Sequence, residues 1–168
     1  LQHRGQESAG IVASDGKEFH AHRGLGLVSD VFAGGVLDRL TGHVAIGHNR
    51  YSTTGRNHPQ NAQPLVVNYR EGDLAIGHNG NLVNALALRR EMEEQGSIFQ
   101  TTSDTEVILH LIARSKATEL ERMIPEALAR CQGAYSLVIL AGETLLGVRD
   151  PRGFRPLCLG RRGTAHVL

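Results

Sequence analysis

Hydrophobic and polar positions alternate along the chain in short runs that predict β-strands joined in hairpins. Three pairs of apolar runs are each separated by a few turn-forming residues, which is typical of antiparallel neighbours. The pairs are residues 9–13 with 19–25, 65–69 with 74–77, and 134–141 with 144–148. Further strands are predicted at 44–48 and 155–160.

Apolar residues spaced by three and four predict helices between these strands. The helices are expected after Asn81, from Ser103 or Asp104, from Leu120 with Pro125 inside it, and, weakened by Gly34-Gly35, over 28–40. Hairpins with helices between them predict an α+β fold with antiparallel sheet covered by helices. Cys131 and Cys158 fall among apolar residues and are interpreted as packing residues.

The stretch 74–81, Leu-Ala-Ile-Gly-His-Asn-Gly-Asn, concentrates the candidate chemistry. Its apolar half predicts a buried strand that Asn79-Gly80 ends in a turn, with Asn81 capping the following helix. The Asn79 amide and the Gly80 backbone N–H are two donors that can hold the oxyanion of an acyl-transfer reaction. A plain strand-to-helix turn explains the same residues, and the local pattern alone favours it.

A long polar segment, 50–64, follows the strand predicted at 44–48. Its Arg50 can bind a carboxylate through two hydrogen bonds, and nearby hydroxyls such as that of Thr53 can add to them. A solvated arginine in a Ser/Thr turn is an equally good interpretation. Asp104, at the start of a predicted helix, is either a helix-start residue or a carboxylate that binds an amino group.

The pentapeptide Ala-Ile-Gly-His-Asn occurs twice, at 45–49 and at 75–79. If the two strands are neighbours, Arg50 and Asn79 lie at the same edge. Five residues are too few to indicate a repeat architecture. The repeated pentapeptide therefore suggests one site built from two strands.

Composition and charge argue against nucleic-acid-binding, membrane-spanning and disulfide-rich classes of protein. The net charge of +1 gives no reason to expect nucleic acid or an anionic membrane as a partner, and no apolar run is long enough to span a bilayer. Two cysteines make no disulfide framework, and a cytoplasmic location is expected. His20 and His22 alternate onto one strand face, where solvated side chains are a better interpretation than metal ligands.

Several segments, in order and nearly end to end, resemble one family. They are Leu1-Gln2-His3-Arg4-Gly5-Gln6-Glu7-Ser8-Ala9-Gly10, Asn49-Arg50-Tyr51-Ser52-Thr53-Thr54-Gly55, His78-Asn79-Gly80-Asn81, Ser103-Asp104-Thr105-Glu106 and Asp150-Pro151-Arg152-Gly153-Phe154-Arg155-Pro156-Leu157. They are similar to the glutaminase domain of the amidophosphoribosyltransferases, a family of class II glutamine amidotransferases. The opening Gln2-His3-Arg4-Gly5-Gln6 favours this family over the hexose-phosphate aminotransferases.

The resemblance implies an N-terminal-nucleophile hydrolase fold, an αββα sandwich of two antiparallel sheets between helical layers. It implies hydrolysis of glutamine to glutamate and ammonia. A second domain then uses the ammonia to convert phosphoribosyl pyrophosphate to 5-phosphoribosylamine, the first step of de novo purine biosynthesis.

The same resemblance implies a role for each matching residue. Arg50 and Thr53 would bind the α-carboxylate of glutamine and Asp104 its α-ammonium group. Asn79 and Gly80 would form the oxyanion hole. Gly5 would lie against the nucleophile and the substrate, with Arg4 beside it.

The chain departs from the family pattern at the nucleophile, which is an N-terminal Cys in the family. We expect residues 1–168 to be a glutaminase domain that lacks the strand bearing this Cys and lacks the phosphoribosyltransferase domain. Such a segment is incomplete at both ends, inactive alone, and prone to aggregate at an open sheet edge. The other interpretations are another class II amidotransferase and a non-catalytic glutamine-binding module.

Cofactors and assembly are implied only for the whole enzyme. We expect no metal in this stretch, magnesium in the transferase half, and a 4Fe–4S cluster in some members. The expected partners are glutamine, phosphoribosyl pyrophosphate through the second domain, and further copies of the chain in a homo-oligomer.

Overall fold

A computed structural model describes residue 3 and residues 5–51 and 58–168. The strands are β1 Ser8–Ser14, β2 Phe19–Leu25, β3 Val44–Arg50, β4 Leu65–Tyr69, β5 Gly72–Leu82, β6 Gly133–Ala141, β7 Thr144–Arg149, β8 Gly160–Arg162 and β9 Ala165–Val167. The helices are α1 Val28–Val31, α2 Ala85–Glu94, α3 Asp104–Arg114 and α4 Leu120–Leu128, with short 3₁₀ turns at Val36–Arg39 and Pro59–Asn61.

Two antiparallel sheets form the body of the fold. The first has the order β2-β1-β3 and the second the order β4-β5-β6-β7, while β8 and β9 make a separate hairpin. The predicted hairpins β1–β2, β4–β5 and β6–β7 are all confirmed. They form because each turn is short and polar, so that two neighbouring apolar runs meet without a crossover.

The larger core lies between the four-stranded sheet and helices α2, α3 and α4. Its fully buried side chains include Ile76 and Ile139 from the strands, Met92 from α2, Ile108 from α3 and Met123 from α4. A second cluster joins the two sheets through Val12, Ile46, Ala75 and Leu140. Helices, sheet and sheet are therefore stacked as layers, and α1 packs on the far side against β1 and β2.

The prediction that Asn79-Gly80 ends the central strand is wrong. Strand β5 continues to Leu82, because residues 79–82 pair with β6 in the register Asn79↔Ser136 to Leu82↔Gly133. A methyl group on Gly80 would lie 2.1 Å from the carbonyl oxygen of Ala134. Gly80 therefore allows a close approach of two strands, and it does not serve a turn.

The predicted cap is wrong for the same reason. Asn81 lies inside the strand, and Asn84 occupies the N-cap position of α2 without a side-chain cap bond. The Asn84 amide instead donates to the Arg130 carbonyl and accepts from the Gln132 N–H. It thus joins the start of α2 to the segment before β6.

Two further predictions need correction. The helical pattern over 28–40 gives only α1 and one 3₁₀ turn, because Gly34 and Gly35 adopt φ values of 66° and 76°. The strand predicted at 155–160 is absent from its described residues up to 159, and Cys158 is exposed instead of packed. The Asp150 carboxylate organises this segment as a turn by accepting from backbone N–H groups of residues 152, 154 and 155.

Other expectations for the helices hold. Ser103 caps α3 by accepting from the Thr105 N–H at 3.2 Å, and α4 contains Pro125. Cys131 packs against the larger core, as predicted. Among the described residues, no helix is both long and apolar enough to cross a membrane.

Candidate active site

The two copies of the pentapeptide lie face to face in different sheets. Ile46 of β3 and Ala75 of β5 share the cluster between the sheets, and a methyl group on Gly77 would lie 3.8 Å from Cδ2 of His48. Each step of two residues along β3 is thus matched by a step of two along β5. The two strands are therefore neighbours by stacking and not by hydrogen-bonded pairing. One further step of the same spacing predicts that Arg50 lies level with Asn79.

His48 joins the two strands directly. Its Nε2 lies 3.0 Å from the carbonyl oxygen of His78, so Nε2 carries the proton and donates. Burial lowers the pKa of His48 to about 4, which keeps the ring neutral at pH 7. Nδ1 of His48 has no hydrogen-bond partner among the described residues.

Arg50 ends β3 with its side chain largely buried. Its Nη1 donates to Oε2 of Glu7 at 3.2 Å, and the Glu7 N–H donates to the Arg50 carbonyl at 3.2 Å. Gly5 packs against the same strand end, where a methyl group would lie 2.7 Å from the carbonyl of Asn49. Gly5 is therefore adjacent to the end of β3 that carries Arg50, and Glu7 orients the guanidinium.

The edge of β5 on the β4 side becomes open beyond Ile76, where β4 stops pairing. On this edge the His78 N–H donates to Oε1 of Gln63 at 2.7 Å and the Leu82 N–H donates to Oδ2 of Asp104 at 2.9 Å. Alternate N–H groups of a strand point the same way, so the Gly80 N–H points to this edge between the two. It is a backbone donor aimed out of the sheet, as an oxyanion hole requires.

Asn79 lies one residue before this donor, with an exposed side chain on the face that looks toward the three-stranded sheet. That face also carries Ala75 and Gly77, because side chains two apart share a face. The Asn79 amide and the Gly80 N–H therefore converge near the end of β5 from the face and the edge of the strand.

Asp104 lies beside the same edge, at the first turn of α3. Its Oδ1 is 3.5 Å from Nδ1 of His78, while Oδ2 accepts from Leu82. Burial disfavours the charged carboxylate, but His78 and the N–H groups of Leu82 and Thr105 outweigh it and lower the pKa of Asp104. The carboxylate is thus ionised at neutral pH and suited to bind an ammonium group.

Sequence reasoning missed the residues behind the site. Gln63, His78 and Thr105 form a buried hydrogen-bonded set, and Asn61 pairs with Thr102 through both its amide oxygen and its amide nitrogen. The sequence signal was the pair of histidines in the repeated pentapeptide, which stand where strands are otherwise apolar. Their partners lie 15 and more residues away along the chain.

Some predicted residues stay untested. Arg4 and Thr53 lie outside the described residues, so their roles remain predictions. Burial raises the pKa of the Cys131 thiol to about 11, so this thiol is poorly suited to act as a nucleophile. Cys158 is exposed, on the segment between β7 and β8.

The opposite end of the sandwich, where hairpin turns gather, has a cavity of about 520 Å³ lined in part by Lys17 and Glu18. Beside it Asp15, Glu18 and His20 offer three possible ligand atoms within 4.8 Å of one another, and acidic groups exposed in this way are common without a metal. His22 is not simply solvated, as its Nε2 donates to the Val31 carbonyl at 2.9 Å. Gly5, Arg50 and Asp104, the predicted substrate residues that the structure describes, do not line this cavity.

The comparison that decides the family is with protein-family models. The glutamine amidotransferase domain matches residues 48–168, which include β3, β5 and α3. The chain belongs to the glutamine amidotransferase domain family. The stacked strands and the Asp104 helix described above all lie within the matched region.

Sequence comparison with individual proteins supports the same family assignment. The chain is 54% identical over 169 aligned residues to amidophosphoribosyltransferase 2, chloroplastic, of Arabidopsis thaliana, covering 100% of the chain and 30% of that protein. It is 49% identical to the amidophosphoribosyltransferase of Bacillus subtilis, covering 100% of the chain and 36% of that protein. The chain thus spans about a third of the length of these relatives.

A solved structure confirms the predicted fold. The glutamine phosphoribosylpyrophosphate amidotransferase of B. subtilis, complexed with ADP and GMP, superposes with a TM-score of 0.93 at 48% identity, covering 99% of this chain and 36% of that one. The amidotransferase domain therefore has the N-terminal-nucleophile hydrolase fold.

Proposed function

We propose that the protein hydrolyses glutamine to glutamate and ammonia. The ammonia displaces pyrophosphate from phosphoribosyl pyrophosphate to give 5-phosphoribosylamine, the first step of purine biosynthesis. The observation that carries the proposal is the stacking of β3 on β5, which brings the strand that ends at Arg50 against the strand that carries Asn79 and Gly80. The names of the relatives support the second half of the reaction.

Each part of the glutamine molecule has a partner in this arrangement. Arg50, with Thr53, binds the α-carboxylate through parallel N–H bonds, and Asp104 binds the α-ammonium group. The Asn79 amide and the Gly80 N–H donate to the oxygen of the side-chain amide as it becomes an oxyanion, when the nucleophile attacks. Gly5 lets the chain approach the Arg50 end of β3 closely, beside the position of Arg4.

The nucleophile in this proposal is an N-terminal Cys outside these 168 residues, whose α-amino group acts as its base. The high pKa of Cys131 supports this assignment, since a thiol that stays protonated is a poor nucleophile. Magnesium, and a 4Fe–4S cluster where one is present, bind elsewhere in the protein. A cluster takes four thiolates, and this chain has two cysteines.

The compartment and the assembly belong to the same proposal. We assign the protein to the cytoplasm as a homo-oligomer, with the plastid as the alternative because the plant relatives are chloroplastic. Fractionation of cells that express the protein, followed by size-exclusion chromatography of the purified material, tests both assignments.

The test of function uses the full-length protein and two nitrogen sources. Wild type should release pyrophosphate from phosphoribosyl pyrophosphate with either glutamine or ammonium. Asp104→Asn should reduce the glutamine-dependent kcat/KM by about 10²-fold, since it removes the charge that binds the ammonium group, and leave the ammonium-dependent rate unchanged. Asp38→Asn, an exposed carboxylate in a 3₁₀ turn, is the matched control.

Other outcomes separate the alternatives. Glutamine hydrolysis without pyrophosphate release indicates another class II amidotransferase. Glutamine binding without hydrolysis indicates a binding module. A loss of the ammonium-dependent rate in Asp104→Asn would show that the substitution damages the whole protein and not the glutamine site.

A further inference from the structure

A buried hydrogen-bonded set lies directly behind both halves of the proposed glutamine site. Gln63, His78 and Thr105 are 6%, 4% and 0% exposed. Oε1 of Gln63 accepts from the His78 N–H, so its Nε2, 3.3 Å from Oγ1 of Thr105, must donate. The set therefore joins the segment before β4, the strand β5 and the helix α3.

The Thr105 hydroxyl is the junction of this set. Its Oγ1 lies 3.1 Å from Nδ1 of His78 and 2.9 Å from Oγ of Ser103. Nδ1 is also 3.5 Å from Oδ1 of Asp104. The Ser103 hydroxyl donates to Oγ1 of Thr105 in the structure. Because hydroxyl protons rotate, the reverse direction leaves a Thr105 lone pair facing Nδ1, and the neighbouring Asp104 carboxylate favours that arrangement, with the proton on Nδ1.

The other ring nitrogen points to the same tautomer. Nε2 of His78 is buried without a hydrogen-bond partner among the described residues, and a methyl group on Gly80 would lie 2.8 Å from it. A proton on Nε2 would be a buried donor with no acceptor, which is costly. With the proton on Nδ1, the ring donates toward Thr105 and Asp104 and presents only a lone pair to Gly80.

We propose that Thr105 and Gln63 are positioning residues for glutamine hydrolysis. Through the Nδ1-protonated ring of His78 they hold the Asp104 carboxylate in place for the α-ammonium group of the substrate. The same contacts fix β5, so that the Gly80 N–H stays aimed at the open edge. The inference rests on the proposed function and adds residues that do not touch the substrate.

The first experiment compares glutamine with 4-carbamoylbutanoate, which lacks the α-amino group, in the full-length protein. Thr105→Val keeps the shape and removes the hydroxyl, so the preference for glutamine in kcat/KM should fall by about tenfold, as for one lost hydrogen bond to a charged group. Thr105→Ser keeps the hydroxyl and should stay within about twofold of wild type. A general loss of stability would not change this ratio.

The control for packing is Ile139→Val, which trims a fully buried side chain of the same core. It should leave the preference for glutamine unchanged. The inference is overturned if Thr105→Val weakens the use of both substrates by the same factor, or if Thr105→Ser behaves like Thr105→Val.

The second experiment does not depend on activity. ¹⁵N NMR of histidine-labelled full-length protein, with His78→Gln to assign the signal, should show the His78 proton on Nδ1 in wild type and Thr105→Ser. Thr105→Val should keep the proton on Nδ1 and shift the Nδ1 resonance, because Nδ1 loses the Thr105 oxygen and keeps only the Asp104 carboxylate as an acceptor. A wild-type proton on Nε2 would overturn the inference even if glutamine is hydrolysed. The expected tautomers in a protein that does not hydrolyse glutamine would overturn the proposed function instead.

Discussion

The two identical pentapeptides of this chain have opposite orientations in the fold. In β3, at the edge of the three-stranded sheet, Ile46 and His48 face the other sheet, while Ala45 and Gly47 are exposed. In β5, a central strand, the corresponding isoleucine and histidine face the helices. The same five residues are thus used in two ways, because the layers that cover each strand differ.

The difference decides which residues reach the site. From β3, His48 and Arg50 face the gap between the two sheets. From β5, Asn79 faces the same gap, on the side of the strand opposite to the His78 ring. The His78 ring on the helix side then lies beside Asp104. In the proposed function, β3 supplies Arg50 to bind the substrate carboxylate, and β5 supplies the Asn79 and Gly80 donors to the oxyanion.

The largest expected effect is the difference in activity between substitutions at the two matched asparagines, Asn79 and Asn49. Asn79→Ala removes a donor to the oxyanion and should lower the glutamine-dependent kcat by about 10²–10³-fold in the full-length protein. Asn49→Ala, the matched position in β3, points away from the gap and should stay within about threefold of wild type. Initial rates with glutamine and with ammonium measure both, and equal losses in the two variants would contradict the assignment of faces.

Much of the fold was predictable because its signals are local. The hairpins follow from short polar turns between apolar runs, and the start of α3 follows from Ser103 as a cap. The end of β5 was not predictable in this way. Its last four residues are held by β6, more than 50 positions later in the chain, and this pairing overrides the turn preference of Asn79-Gly80.

The candidate site was predictable only in part. Arg50, Asn79, Gly80 and Asp104 were candidates from their chemistry, but the residue pattern left plainer interpretations open, and the resemblance to a known family assigned them their expected roles toward glutamine. The supporting set was not predicted, because Gln63 and Thr105 are 15 and 27 residues from His78 and carry no motif of their own. Only the stacking of layers brings them together.

The next effect concerns pH and the histidine of β3. The pKa of His48 is about 4 in the folded protein and about 6.5 when unfolded, so the unfolded state binds the extra proton between these values. Stability from this group is complete above about pH 6.5 and is lost as the pH falls toward 4. The loss is on the order of 3 kcal/mol, since one pKa unit is worth about 1.4 kcal/mol.

Hydrogen exchange of the β3 and β5 amides in the full-length protein, measured from pH 7.5 to 4.5, tests this. His48→Gln keeps a donor for the His78 carbonyl and should flatten the pH dependence of protection. His166→Gln, on the exposed strand β9, should leave it as in wild type. A pH dependence that persists in His48→Gln would assign the effect to another group.

The smallest effect separates the two glycines of the pentapeptides. A methyl group on Gly77 would lie 3.0 Å from Cγ2 of Val138, so Gly77→Ala should lower the free energy of unfolding by about 1–2 kcal/mol through overpacking. A methyl group on Gly47 meets nothing nearer than 3.6 Å, so Gly47→Ala should be neutral or stabilise by up to about 1 kcal/mol through a less flexible unfolded chain. Thermal melting of the two variants gives the sign of each change. If both substitutions destabilised equally, the exposed face of β3 beside Gly47 would have to be as tightly packed as the face of β5 beside Gly77, and the two pentapeptides would no longer differ in the way their layers cover them.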